Sequence, residues 1–204
     1  MRRAVVISLV LLLSVTVLSA VGCGGSGESG STSQYQQLKA QAEELFAAAD
    51  TDWTALKKKI DEANNNTEQL ILKAMGGNVA AIPPEQRTGL SASTRALIAE
   101  AVRVRVAFEA LDKPEFKELK GVDAYASYAE AMIKAINSYK QLLELGANFI
   151  EKIEPALASG DTAAINAAIQ QTLDVTHIQE AQTNAETALA KAEKIKDTER
   201  LGAK

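Results

Sequence analysis

Cys23 is the only cysteine and His177 the only histidine of the chain, and this scarcity removes whole classes of chemistry. A disulfide needs a second cysteine, and a zinc site needs several converging ligands. No nucleophile–base pair, phosphate-binding glycine loop or zinc-ligand spacing can be picked out. Hydrolysis would have to rest on carboxylates, none of which stands out, so the chain is read as non-enzymatic. Aromatic residues make up 4% and prolines number 4, and strand-like alternation is nearly absent, which points to an all-α class. Basic residues are also too few for a nucleic-acid partner: 22 Lys and Arg stand against 26 Asp and Glu.

At the N-terminus Met1-Arg2-Arg3 precedes an uncharged, mostly apolar run from Ala4 to Ala20, and Gly24-Gly25-Ser26-Gly27 follows Cys23. The layout predicts a secretory signal peptide with a positive region, an apolar region and a small-residue cleavage point. The segment Ser19-Ala20-Val21-Gly22-Cys23 resembles the lipobox of bacterial lipoproteins, with Ala20 where such motifs usually carry Leu. The resemblance implies cleavage before Cys23, lipidation of its thiol and attachment to the extracytoplasmic face of the cell membrane. An uncleaved anchor is the alternative, although Ala4–Val21 is slightly short of the ~20 residues of a spanning helix. A cleaved signal leaving a free thiol is the other. On the lipoprotein reading, residues 1–22 are the signal peptide. Residues 23–33 are the lipidated cysteine with a flexible Gly/Ser linker, and 34–200 form one helical bundle domain. A chain this long builds its core without disulfides.

Apolar residues recur at helical spacing through most of the rest. The first helix is predicted over Gln34–Met75, with Ala42, Ala49, Trp53, Leu56, Ile60 and Leu70 inward, and a kink or short break at Asn64-Asn65-Asn66. Gly76–Gly89 reads as a loop, with Ser91 or Ser93 capping the second helix, whose stripe (Leu90, Leu97, Val104, Leu111) follows a heptad. Pro114 opens a short helix and Asp123 caps a third long one, striped by Tyr125, Met132, Ile136, Tyr139, Leu143 and Gly146. Pro155 should kink its last turn. Gly160 and Asp161 read as a C-terminal stop and the next N-cap, and a fourth helix runs to about Asp197. Four helices with short turns predict an antiparallel up-down four-helix bundle.

Few residues invite a site. Asp174, His177 and Glu180 share a helix face, but a single histidine cannot assemble the paired Glu-x-x-His site of di-metal bundles, and the stripe turns His177 outward. Met75 and His177 are not level enough to share a haem iron, so Met75 and Met132 are read as core filler. Lys57-Lys58-Lys59 with Asp61 and Glu62, and Arg95, Arg103 and Arg105, read as solvated faces with local ion pairs. Tyr125, Tyr128 and Tyr139 read as core. Gln171 and Gln182 fall near the inward stripe, and mark either solvent-facing turns or a polar pocket. No catalytic, cofactor-binding or metal residue is assigned, and no cofactor is expected.

Ile82-Pro83-Pro84-Glu85 and Leu157-Ala158-Ser159-Gly160-Asp161 resemble the helix punctuation of helical-bundle lipoproteins of high-GC Gram-positive bacteria, over roughly residues 80–170. The resemblance implies fold and location and brings no activity. The expectation is a lipid-anchored binding or interaction module with an extracytoplasmic protein partner, or else a bundle that binds a small ligand or metal.

Overall fold

The computed structural model of the chain describes residues 29–77, 79–172 and 175–202. Among them are six α-helices and no strand: α1 (Ser29–Met75), α2 (Leu90–Glu109), α3 (Pro114–Lys117), α4 (Asp123–Ser159), α5 (Thr162–Thr172) and α6 (Val175–Thr198). Cys23 and the N-terminal part of the expected linker lie outside the described residues. No described helix is long and apolar enough to cross a membrane.

Helix α4 is the hub. It packs along α2 on one side and α6 on the other, α1 packs chiefly against α2, and α5 folds back on α4. The hub position follows from sequence, because α4 is apolar on more than one face. Ala126, Ala129, Met132, Ala135, Ile136 and Leu143 are all buried, and its alanines let neighbouring helices approach closely. Burial divides into two clusters. The larger joins Phe46, Trp53, Leu56 and Ile60 of α1 to Phe108 of α2 and to Tyr128, Met132 and Ile136 of α4. Its rings meet edge-on, Phe46 and Tyr128 at 5.3 Å and Phe108 and Tyr128 at 5.8 Å between centroids, a favoured aromatic arrangement. The smaller cluster closes the far end with Leu70, Val79, Ile82, Phe149, Ile153 and Ile165.

Several expectations need correction. Helix α1 begins at Ser29 rather than Gln34, so residues 29–33 are helical and not linker. It also runs unbroken through Asn64-Asn65-Asn66. These asparagines face solvent while Ile60 and Leu70 stay buried on the same helix. The apolar stripe thus outweighs a propensity deficit of less than ~1 kcal/mol per residue. The expected fourth helix is described as α5 and α6, with residues 173 and 174 outside the described ones. The 76–89 loop contains two single-turn 3-10 helices, Val79–Ala81 and Pro84–Gln86. It buries Val79 and Ile82 as a plug over the smaller cluster. Met75, expected in the core, is the last residue of α1 and 51% exposed, while its neighbour Ala74 is buried in the smaller cluster.

Neither Ser91 nor Ser93 caps α2 through its side chain. Gly89 is the N-cap, with φ 77°, and the cap comes from α4. Glu154 Oε1 accepts from the Gly89 N–H and from the Leu90 N–H at 3.2 Å, and the Ser91 hydroxyl donates to Glu154 Oε2 at 2.7 Å. A carboxylate there satisfies orphan donors and suits the positive helix end. Asp123 is the first residue of α4 and not its cap; it accepts from the Gly121 N–H at 2.8 Å. At the other end the reading holds. Gly160 stops α4 at φ 73°, and Asp161 caps α5 by accepting from Ala163 N–H at 2.8 Å. Pro155 sits inside α4 near that stop.

Candidate functional site

The two clusters meet along α4 at Gly146. There α1 and α6 stand apart and leave an open groove of about 490 Å³ with α4 as its floor. Leu142, Leu143, Phe149 and Ile150 form the floor, with Ile71 and Leu72 from α1 and Ile178 from α6 on the sides. Leu72 is 56% exposed. From Lys57 to Leu72 the α1 wall is ~22 Å long at ~1.5 Å per residue. The rim is polar. Lys57, Asp61 and Glu68 stand on α1, with Gln182 and Glu186 on α6.

Gly146 is the residue that helix physics does not call for. Glycine inside a helix costs ~0.5–1 kcal/mol relative to alanine. Close packing is the usual compensation, and here it is missing: a Cβ built on Gly146 meets nothing within 4 Å. Gly146→Ala is therefore expected to stabilise the protein by ~0.5–1 kcal/mol. A denaturant midpoint that falls in this variant would show that the site has no room after all.

One end of the groove is electrostatically marked. Tyr139 is 6% exposed and packs on Trp53, with ring centroids 5.4 Å apart. Lys57 Nζ lies 5.5 Å from the Tyr139 ring centre and donates to both oxygens of Asp61, at 2.5 and 2.6 Å. On the opposite wall Gln182 Nε2 donates to Glu186 Oε1 at 2.8 Å. The Tyr139 phenol is pushed up to about 12, first by burial and then by the Asp61, Glu186 and Glu193 charges. Burial, followed by the Asp50 charge and hydrogen bond, also raises Tyr128. An unfolded tyrosine ionises near pH ~10. Both phenols therefore contribute stability that is complete below about pH 10 and is lost as pH rises through the folded values. The thermal midpoint should drop across pH ~10 to 12, and Tyr139→Phe should drop less over that window. Equal losses in the two proteins would contradict the assignment.

A second polar cluster lies at the Phe46 end. Lys196 of α6 donates to both Asp50 oxygens at 2.9 and 2.8 Å, and the Tyr128 hydroxyl donates to Asp50 Oδ1 at 2.8 Å. The cluster ties α1, α4 and α6 together.

The remaining sequence candidates separate clearly. His177 and Glu180 are exposed on α6, and Asp174 lies outside the described residues. No group of three or more His, Cys, Asp or Glu side chains converges as a metal set among the described residues. Met132 is buried at 0% exposure. Lys57 and Lys58 make the expected pairs four residues on, with Asp61 and Glu62, whereas Lys59 reaches across to Glu100 of α2 at 2.6 Å. Arg103 and Arg105 pair within α2, and Arg95 pairs with Glu151 of α4. Tyr125 and Tyr128 are core, and Tyr139 is both core and groove wall. Gln182 lines the groove; Gln171 is exposed and does not. Sequence reasoning missed Asp61, Glu68 and Glu186 as a rim, and read Gly146 only as part of a stripe. A lone glycine inside a helical pattern was the available signal.

No protein family, curated protein or solved structure matches the chain.

Proposed function

We propose that this chain is a lipid-anchored extracytoplasmic binding protein, acylated at Cys23, whose groove over α4 takes a small ligand. Its helical part is an up-down-up-down four-helix bundle formed by α1, α2, α4 and the α5–α6 pair, and it performs no catalysis. The signal peptide and Ser19–Cys23 support the anchor, and they make the membrane its partner. Helix α1 starts at Ser29, close in sequence to Cys23. The groove begins at Lys57, ~42 Å further along the helix axis, so it stands well clear of the bilayer surface when α1 is upright.

The observation that carries the binding reading is the space over Gly146. A volume of about 490 Å³ lies in the ~300–1,000 Å³ range of small-molecule sites. An apolar floor with a few polar groups on the rim is also their usual composition. A partner protein docks on a broad surface of ~800 Å² on each side rather than in one concave pocket. The small-ligand reading is favoured over the protein-partner reading on that ground, and over a metal by the lack of converging ligands among the described residues.

Native mass spectrometry of protein released from its own membrane tests this. A bound small molecule should accompany the wild type and be absent from Gly146→Leu, whose side chain fills the groove floor. The same adducts on both proteins would reject the groove as the binding site.

A further inference from the structure

The rim of the groove has a sign. Among its described lining residues Asp61, Glu68 and Glu186 are acidic and Lys57 is basic. Lys57 is already committed to Asp61, so Glu68 and Glu186 are left in excess over an apolar floor. Glu186 has only the neutral Gln182 amide as its hydrogen-bond donor, and Glu68 has no hydrogen bond or ion pair among the described residues.

The protein also displays a cation in place. The Lys57 ammonium sits 5.5 Å from the Tyr139 ring centre and against the Asp61 carboxylate. Ring face and carboxylate together are the elements that hold ammonium and guanidinium groups. Beyond Tyr139 the floor turns wholly apolar, through Leu142 and Phe149 to Leu72. The groove floor therefore reads from an aromatic end at Tyr139 to an apolar end at Phe149, with Glu68 on the α1 wall one turn from Leu72.

On the reading that this groove is a ligand site, we propose that its ligands are small amphiphiles carrying an ammonium or guanidinium group on an apolar body. The cation sits at Tyr139 between the Asp61 and Glu186 walls, and the body lies along Phe149 toward Leu72. Lys57 competes for the same seat.

The test uses the full acylated chain in lipid nanodiscs and three probes of equal chain length below micelle formation: octyltrimethylammonium, octyl glucoside and octyl sulfate. Trp53, the one tryptophan, packs on Tyr139 and reports occupancy. Equilibrium dialysis against empty discs gives the same constants without relying on fluorescence. The ammonium probe should bind saturably and roughly tenfold or more tighter than the other two, since a desolvated cation–ring contact and a carboxylate together contribute ~1–2 kcal/mol. Glu186→Gln should weaken it roughly threefold to tenfold, and Lys57→Met should tighten it by a similar factor. Thermal melts confirm that both variants are folded. If the sulfate or glucoside binds as tightly, or Lys57→Met fails to tighten the ammonium probe, the ligand class is wrong while the groove reading survives. If no probe binds more tightly to the wild type than to Gly146→Leu, both fall.

Discussion

Replacing Cys23 by serine, with residues 1–22 exchanged for an ordinary cleavable signal peptide, is expected to move essentially all of the protein from the membrane fraction to the soluble fraction. The other candidate attachments are weak. No described helix can span a bilayer, and on the lipoprotein reading the apolar Ala4–Val21 segment leaves with the signal peptide. On the lipoprotein reading the mature chain lacks Arg2 and Arg3, so its 22 basic residues fall to 20 against 26 acidic ones, a formal balance of about −6. An anionic membrane repels such a chain. Retention then rests on acyl chains, which contribute ~0.8 kcal/mol per buried CH₂, so that two or more hold firmly. Metabolic labelling with an alkyne fatty acid gives the direct reading. Wild type should carry the label and Cys23→Ser should not; an unlabelled wild type would remove the anchor from the account.

Ile136→Asp should unfold most of the molecule. Ile136 is 0% exposed at the centre of the larger cluster, where α4 meets its neighbours. Losing the isoleucine body costs ~2–5 kcal/mol, and an unpaired carboxylate in an apolar site adds a desolvation cost of comparable size. Against a total stability of ~5–15 kcal/mol that sum removes most or all of the fold. Lys58→Ala is the control. Its side chain is 78% exposed, and a surface change of this kind stays within ~0.5 kcal/mol. Circular dichroism melts should separate the two variants widely. Near-equal midpoints would mean that the inward faces are wrongly assigned.

Much of this core was legible because helix period is a local property. Trp53, Leu56 and Ile60, and Met132, Ile136 and Leu143, are all buried as their spacing implies. The Gly160 stop and Asp161 cap were legible for the same reason, since donor and acceptor lie within three residues. What failed depended on distant chain. The α2 cap comes from Glu154, 64 residues away from Leu90, and no local pattern announces it. Asn64-Asn65-Asn66 looked like a break because propensity is also local, while the burial of Ile60 and Leu70 that keeps α1 intact is not. Met75 looked apolar and therefore inward, yet the inward position of that last turn belongs to Ala74, which is buried in the smaller cluster. The groove was the least legible feature. It is bounded by α1 and α6 over α4, and a sequence does not state the distance between two helices that share a third. Gly146 and Gln182 were noticed as residues, but only the fold puts them on one surface.

A thiol titration reaches both halves of the account at once. A lipid-capped Cys23 has no reactive thiol, so unfolded wild type should consume no maleimide. Gly146→Cys places one thiol on the groove floor; the folded variant should react once per chain, and octyltrimethylammonium should slow it. A reactive thiol in the wild type would contradict the anchor, and a Gly146→Cys protein that reacts only after unfolding would contradict the open groove.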